Sequence, residues 1–533
     1  MRDDRKHGDA FEVVSIGLGE RRGQSGGCGK DWQEHSSGLA GGVPPVTRSL
    51  LIALIAGLVS ALGFAPVGWW LLSYAGLAAL LMLVRRAPTW RVAALQGYAF
   101  GFGQFVIGLN WIAGAFRFQE TMPDWLGWVA VVLLSFYLAV YPALMALAVW
   151  RFRGSPWAYA LAAGAAWIVS EGLRATLFTG FAWNPLAAAF ADTPARGLAR
   201  WVGTYGLSGI VALGAAALAD RRRLIAFPLA LVATLGAGWL AFGRDPGRSA
   251  TLIRVVQPNI AQQDKQDETF DAINFDKLEA LTGPPGPLPR LILWPEAAVP
   301  WYPELQPWAR ARIAMLLVPR DQILFGADSL IFEGGEMVAA RNALFAMDSY
   351  GRISGRYGKA HLVPYGEYLP MRPVLSAIGL SRLVPGDIDF WAGPGPRSLN
   401  VPGVGPVGGQ ICYEIIFSGQ VLDKDNRPRF LFNPSNDAWF GDWGPPQHLA
   451  QARLRAAEEA MPIVRSTPTG ISAVIDSQGA LKVALPLHRA GFIQTTLPEA
   501  GPPTPFARFG NLLPLLFAFV LAALAVALRR RDA

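Results

Sequence analysis

Three side chains in the second half of this 533-residue sequence are of types that, brought together, could break and remake an acyl bond. Leu291-Ile292-Leu293-Trp294-Pro295-Glu296 reads as an apolar strand that Pro295 terminates, leaving a carboxylate at the tip. Gly408-Gly409-Gln410-Ile411-Cys412-Tyr413-Glu414 is a second strand, in which two glycines permit close backbone packing and a thiol sits where the strand breaks into a helix. Between them the Gly- and Pro-rich stretch 358–367 places the Lys359 ammonium among aromatics. A cysteine nucleophile needs a base for its proton and a cation or N–H donors for the oxyanion it creates. A carboxylate in a dry pocket can be that base, and a lysine can stabilise both thiolate and oxyanion. Singly, each has a plainer reading: a buried small residue for the cysteine, an ion-pair partner for the glutamate, a solvated surface group for the lysine. A Cys-His pairing through His361 or His448 is the chemical alternative, although His448, opening a helical stretch, reads as a surface or cap residue.

The elements that must position these groups follow an α/β pattern over 244–510. Strands are expected at Thr251–Gln257, Arg290–Trp294, Gln322–Ala327, Ala343–Asp348, Pro406–Cys412, Arg429–Asn433, Ile463–Ser466 and Ile471–Ile475. Helices are expected at about 268–282, 303–317, 415–422 and 446–460. A region of this length can bury one substantial core.

The rest of the chain is of another kind. Charged residues are 16% and hydrophobic ones 52%, far from the roughly 25% charge of a soluble domain, which excludes a disordered or nucleic-acid-binding tail protein. The net charge of +8 divides as −1 over 1–47, +8 over 48–243, −1 over 244–528 and +2 over the last five residues. Eight apolar runs, at about 49–65, 67–84, 93–116, 125–150, 156–178, 204–219, 224–243 and 511–528, are candidate membrane spans. Alternate loops carry Arg85, Arg86 and Arg91, then Arg151 and Arg153, then Arg221, Arg222 and Arg223, with Arg529, Arg530 and Arg531 after the last run. The positive-inside rule then puts both termini in the cytoplasm and 244–510 outside. Residues 1–47 read as a disordered cytoplasmic extension, 48–243 as a seven-helix membrane domain, 244–510 as the catalytic domain and 511–533 as a last span with a basic tail. Cys28 and Cys412 fall on opposite sides and cannot form a disulfide, and no zinc pattern is present.

Glu296, Lys359 and Cys412 in this order resemble the nitrilase superfamily, whose Glu-Lys-Cys triad lies on an αββα sandwich. With its spans, the chain from about 48 to 531 is similar to the bacterial apolipoprotein N-acyltransferase family. The matching stretches are W-P-E at 294–296, G-K-A-H-L-V-P-Y-G-E-Y-L-P at 358–370, I-C-Y-E at 411–414, S-N-D-A-W-F-G at 435–441, R-S-T-P-T-G-I-S-A at 465–473 and, in the membrane part, F-T-G-F-A-W-N-P at 178–185.

The resemblance implies that Glu296 is general base, Lys359 the oxyanion-stabilising cation and Cys412 the acyl-accepting nucleophile, with Glu367, Tyr413 and Glu414 in support. By their own pattern Tyr413 and Glu414 could equally be helix-start packing and an N-terminal charge. The implied reaction moves an acyl chain from a phospholipid, typically phosphatidylethanolamine, to Cys412 as a thioester. The chain then passes to the α-amino group of the diacylglyceryl-cysteine of an apolipoprotein, at the outer face of a bacterial inner membrane. No cofactor, metal or nucleic-acid partner is expected. Gln266 stands where the family usually has tryptophan, which puts a lipid contact there in question. Val384–Trp391 and Ala438–Trp443 are candidate lids or bilayer contacts, and Glu171 and Arg174, three apart on one span, a candidate head-group site or a structural pair. A membrane-anchored amide hydrolase and a transporter are the competing readings; eight spans weigh against the first, and the lack of an internal repeat against the second.

Overall fold

Each apolar run is helical in the computed structural model, which describes residues 45–118, 123–218, 226–377 and 390–531. Residues 1–44 of the expected extension 1–47, Cys28, Arg221, Arg222, Arg223 and 384–389 lie outside the described residues, while 45–47 are helical and not part of an extension. The helices are α1 (Pro45–Ala61), α2 (Trp70–Arg86), α3 (Trp90–Gly108), α4 (Ile112–Ala115), α5 (Trp125–Leu138), α6 (Val140–Trp150), α7 (Pro156–Thr176), α8 (Ala199–Ala217) and α9 (Ala226–Ala241).

The expectation of about eight spans is corrected by length and composition. Among the described residues two helices are long and apolar enough to cross a membrane, Trp125–Trp150 (α5 continuing into α6) and Leu512–Arg531. A third is added if α3 and Ile112–Phe118, bent by 47°, count as one span. The physical reason is visible element by element. Helices α1 and α2 have 17 residues each, short of the roughly 20 that cross a bilayer. Helix α7 is diluted by alanine and carries Glu171 and Arg174, and α8 is broken at Gly203, whose φ is 68°. The outward faces of these helices remain apolar: Trp125, Trp128, Leu133 and Phe136 on α5, and Leu515, Leu516, Phe519 and Val520 near the C-terminus, are exposed. Exposed apolar faces of this kind are suited to membrane contact.

Beyond α9 the described residues form twelve strands: β1 (Arg248–Gln257), β2 (Arg290–Leu293), β3 (Gln322–Glu333), β4 (Glu336–Asp348), β5 (Ile353–Gly358), β6 (Ser398–Val401), β7 (Gly405–Gly409), β8 (Phe430–Pro434), β9 (Ile463–Ser466), β10 (Ala473–Ile475), β11 (Leu481–Ala484) and β12 (Gly491–Pro498). They make two six-stranded sheets, ordered β12-β1-β2-β3-β4-β5 and β11-β10-β9-β8-β7-β6. Period-2 alternation divides the first sheet's faces. Ile253, Val255, Leu291, Leu293, Leu324 and Leu344 share one core with Val407, Phe432, Val464 and Val474 of the second sheet. Their neighbours Val256, Ile292, Ile323, Phe325 and Phe345 pack outward against Phe275, Leu278 and Ile313. Those three lie on α11 (Asp271–Thr282) and α12 (Pro307–Ala314), which follow the short α10 (Gln262–Gln266). After α13 (Arg372–Ala377), α14 (Gly444–Glu459) covers the second sheet, and α15 (Pro505–Phe509) leads into α16 (Leu512–Arg531). This nitrilase-like α/β sandwich is the expected one. The strands β5, β6, β11 and β12 were not expected, and the helix expected at 415–422 is instead a single 3-10 turn, Cys412–Ile416.

The start of β2 is fastened by a buried ion pair. Arg290 Nη2 lies 2.9 Å from Asp321 Oδ2, and the Arg290 backbone N–H donates to Asp321 Oδ1 at 2.7 Å. Removing one partner strands a buried charge. Asp321→Ala is therefore expected to destabilise the sandwich by about 3–5 kcal/mol, read as a lowered unfolding midpoint of the detergent-solubilised protein. A shift equivalent to less than about 1 kcal/mol, the worth of an exposed pair, would contradict this.

Candidate active site

Glu296 stands three residues past the end of β2. The Trp294 N–H donates to Leu324 O and the Gly326 N–H to Pro295 O, so the strand's ladder continues into the turn. Gly326 is needed there, since a Cβ on it would lie 2.4 Å from Ala297 N and 2.8 Å from Glu296 Cα. Ala297, just after the carboxylate, has a φ of 43°, and this reversal turns the chain away from the sheet. Lys359 follows the last residue of β5, its N–H bonded to Asn342 O on β4.

Cys412 opens the 3-10 turn after β7, with a φ of 50°. This strained backbone holds the thiol on a tight corner. The glycines before it do what their pattern implied. A Cβ on Gly408 would meet Leu431 Cδ2 at 2.5 Å, and one on Gly409 would meet the Tyr357 ring at 2.7 Å.

All six expected residues are buried, and they form one site. Lys359 Nζ donates to Glu367 Oε1 at 2.8 Å and to Glu296 Oε1 at 3.4 Å. Glu367 Oε2 accepts from the Val363 N–H, so this carboxylate both holds the ammonium and closes its own loop. Burial alone would lower the Lys359 ammonium; the Glu367 and Glu296 carboxylates outweigh it and raise the group above its usual value, so it is a fixed cation. Burial, with the Glu296 charge adding to it, pushes the Cys412 thiol well up against the opposing pull of Lys359. The resting Cys412 side chain is a neutral thiol.

Glu414 and Tyr413 lie behind this centre. Glu414 Oε1 accepts from Tyr357 Oη, Ala360 N and His361 N, and its Oε2 from Ile411 N. One carboxylate thus ties the cysteine turn to the lysine loop. Burial raises it to about 7 despite these donors. Tyr413 packs edge-on to Phe417, and its hydroxyl donates to Gly180 O of the membrane part.

Several participants were not singled out in the sequence. Asn342 Nδ2 donates to both Glu296 Oε1 and Glu367 Oε1, at 2.7 and 3.2 Å. The available signal was a lone amide inside the apolar strand Ala339–Met347. The Asn436 N–H donates to Glu296 Oε2 at 2.6 Å. His448 is corrected from surface or cap residue to fully buried. Its Nε2–H donates to the Cys412 carbonyl at 3.1 Å, and its Nδ1 faces Asp437 Oδ1 at 3.0 Å, with Arg465 behind Asp437. Burial and the Arg465 charge keep this imidazole below its usual value. His361 instead stacks on Phe417. Among the described residues one donor set could hold a metal ion, Cys412, Asp437 and His448, with ligand atoms within 4.8 Å of one another. Of these three, Asp437 and His448 are already engaged by each other and by Arg465.

The membrane part reaches the site through α14. Trp183 Nε1 and Asn184 Nδ2 both donate to Gln447 Oε1, at 2.7 and 2.9 Å, and the Trp183 ring lies over His448. Glu171 and Arg174 serve this connection. Arg174 Nη1 donates to Phe181 O and Trp183 O, and Glu171 Oε1 accepts from Trp167 Nε1 and Leu186 N. Beyond the two expected readings, a head-group site or a structural ion pair, both side chains bind the 181–186 backbone and so fix that loop. In the candidate lid 438–443, Phe440 is buried against Trp111 and Trp183, which is core packing. Gln266 lines a cavity beside Glu296.

Comparison with known proteins agrees in both halves. Residues 56–217 match the family described as apolipoprotein N-acyltransferase N-terminal domain, and residues 287–501 the carbon-nitrogen hydrolase family. An apolipoprotein N-acyltransferase of Rhodopseudomonas palustris is 33% identical over 519 residues, covering 91% of this chain and 96% of that protein. One from Ralstonia nicotianae is 37% identical over 510 residues, covering 90% and 94%. Among solved structures, a mutant amidase from Nesterenkonia sp. AN1 with a covalent adduct on its active-site cysteine covers 50% of this chain and 96% of its own, at 16% identity and TM-score 0.32. Saccharomyces cerevisiae Nit3 covers 50% and 94%, at 18% identity and TM-score 0.32.

Proposed function

Because the chain belongs to the apolipoprotein N-acyltransferase family and is an acyltransferase of lipoprotein maturation, we propose that its acyl group travels through a thioester on Cys412, with Glu296 as base and Lys359 as oxyanion cation. The observation that carries this reading is the single buried cluster in which Lys359 touches Glu296 while the Cys412 thiol feels both charges.

In the first half-reaction Glu296 takes the Cys412 proton as sulfur attacks an ester carbonyl of the phospholipid donor. Because the resting thiol is neutral, attack and proton transfer proceed together. The carbonyl oxygen becomes an oxyanion facing the Lys359 ammonium, with the Tyr413 backbone N–H at the start of the 3-10 turn as second donor. Collapse breaks the ester C–O bond, and the lysophospholipid oxygen leaves with the proton held by Glu296. In the second half-reaction the neutral α-amine of the acceptor's N-terminal cysteine attacks the thioester carbon, Glu296 accepts the amine proton, and the thiolate leaves and recovers it. Glu367 and Asn342 keep Lys359 and Glu296 in register, and Glu414 holds the nucleophile turn against the lysine loop.

A membrane setting suits these substrates, since exposing a lipid chain to water costs about 0.8 kcal/mol per CH₂. We place 244–510 on the outer face and both termini in the cytoplasm. Two sets of contacts support this arrangement. Arg85 Nε donates to Arg153 O at one end of the helices, the arginine-bearing end. At the other, Arg196 reaches Gln478 O and the Thr204 N–H reaches Glu458 of the catalytic part.

Incubation of the solubilised protein with phospholipid is expected to add the mass of one acyl chain to Cys412, removed by neutral hydroxylamine. An adduct on any other residue, or none, would refute the thioester. A membrane-anchored amide hydrolase would release free fatty acid at the same rate with or without an acceptor peptide.

A further inference from the structure

The Cys412 carbonyl is gripped from two sides. His448 Nε2–H donates to it at 3.1 Å and Asn433 Nδ2 at 3.4 Å, the latter also reaching Gln410 O at 2.5 Å. Both donors are fully buried and come from different elements, α14 and β8. One guanidinium, Arg465 on β9, orders them both. Its Nη1 donates to Asn433 Oδ1 at 2.5 Å and its Nη2 to Asp437 Oδ2 at 2.6 Å, while Asp437 Oδ1 lies 3.0 Å from His448 Nδ1. Burying an Arg–Asp pair is costly, and apolar residues would close the sandwich as well. What the network controls is one backbone oxygen, and through it the other end of the same peptide. The Cys412–Tyr413 unit is planar, so fixing its carbonyl fixes the direction of the Tyr413 N–H. That N–H precedes the first bond of the 3-10 turn, from Glu414 N to Ile411 O at 3.3 Å, and has no partner within the turn. Cys412 has a φ of 50°, a strained conformation that persists only where the surroundings over-determine it. Donors on a carbonyl also polarise the N–H of its own peptide.

We propose that His448 and Asn433, ordered by Arg465 and Asp437, are positioning residues that aim and polarise the Tyr413 N–H as an oxyanion donor. The proposal rests on the acyl-transfer reading above and accounts for how a strained turn is held ready for the tetrahedral intermediate. Packing is the competing role, since the His448 ring also lies 5.4 Å from the Trp183 ring and 5.9 Å from that of Phe440. The two roles ask for different atoms. Packing needs the aromatic ring, and positioning needs the Nε2–H.

The test follows acylation of Cys412 from phospholipid by intact mass, on the full-length protein in detergent. His448→Phe keeps an aromatic ring and loses the donor, whereas His448→Gln loses the ring and keeps an N–H at similar reach. His448→Phe should slow acylation by about 10²-fold, the lower end of the cost of losing an oxyanion donor, and in kcat rather than KM. His448→Gln should recover roughly tenfold of that, the worth of one hydrogen bond restored. Equal rates in the two variants, a faster His448→Phe, or a loss confined to KM would overturn the positioning role and leave the histidine as packing. A second measurement needs no variant to fold. Cys412-Tyr413 is the single Cys-Tyr step in the chain, so wild type labelled with carbonyl-¹³C cysteine and ¹⁵N tyrosine gives one amide signal in a carbonyl-selected NMR spectrum. A long-chain aldehyde bonds its carbonyl carbon to the Cys412 sulfur, the thiol proton passing to the carbonyl oxygen, and so leaves an oxygen where the oxyanion would form. The Tyr413 amide proton should then move downfield; an unmoved amide in protein that carries the adduct would overturn the proposal while leaving the thioester standing. Wild type that takes neither acyl chain nor aldehyde on Cys412 would sink the thioester reading and the positioning role with it.

Discussion

Substitution of Cys412 by alanine is expected to lower acyl transfer by on the order of 10⁵-fold or more, the scale seen when a covalent nucleophile is deleted from an otherwise intact centre. The size follows from the route. Without sulfur there is no thioester, and no other group in the cluster can replace it: Lys359 is held as a cation by two carboxylates, and Glu296 is surrounded by donors. The fold should tolerate the change. Alanine removes one sulfur from a buried position, and the 3-10 turn is held by groups other than the thiol, namely Glu414 through Ile411 N and His448 through the Cys412 carbonyl. The check is transfer of labelled acyl chain to a diacylated lipopeptide, with the membrane-fraction yield measured in parallel. Transfer within a hundredfold of wild type from correctly inserted Cys412→Ala would remove the cysteine from the mechanism.

Glu296→Gln should cost about 10²–10⁴-fold, the usual worth of a positioned general base, and toward the upper end. The amide cannot accept the thiol proton, and the resting thiol needs that acceptor because burial keeps it neutral. A second effect adds to the first. Glu296 Oε1 accepts from Asn342 and Lys359, and Oε2 from the Asn436 N–H. An amide has one acceptor atom where three donors converge, so its NH₂ must oppose a donor. The loss should appear in kcat and in the rate of Cys412 acylation alike, because the base acts before the thioester forms. A variant that still forms acyl-Cys412 at the wild-type rate but fails in the second half-reaction would confine Glu296 to amine deprotonation.

The candidate residues were legible because each is marked locally. Proline after an apolar strand marks Glu296, paired glycines mark the approach to Cys412, and a Gly- and Pro-rich loop marks Lys359. The partners that orient them carry no comparable mark. Asn342 is one amide within a strand, and His448 sits in a helix whose polar residues look outward-facing from the sequence alone. That helix, α14, lies between the second sheet and the membrane part and is buried on nearly all sides, so its polar side chains become internal ties. The short edge strands were missed for a related reason. In β11 the residues Leu481, Lys482 and Val483 are exposed, and without a buried face there is no alternation to read.

Taken by itself, the sequence determined where the apolar helices and the buried strands β1–β4 and β7–β10 lie, since burial imposes a period of 2 or 3.6 or an unbroken apolar run. It also fixed the identities and order of Glu296, Lys359 and Cys412, and the asymmetry of arginine along the apolar half. Only the tertiary structure decided that Glu367 and Asn342 clamp Lys359 and Glu296, and that His448 faces inward. It also decided that a cavity adjoins Glu296 and that several apolar runs are short or broken for spans. These outcomes depend on atoms far apart in the chain: the Glu296 carboxylate takes its N–H from Asn436, 140 residues on, and Trp183 finds Gln447 264 residues away. Such contacts exist only after two sheets have closed on each other and on the helices, and nothing in local periodicity encodes which side chains will meet when they do.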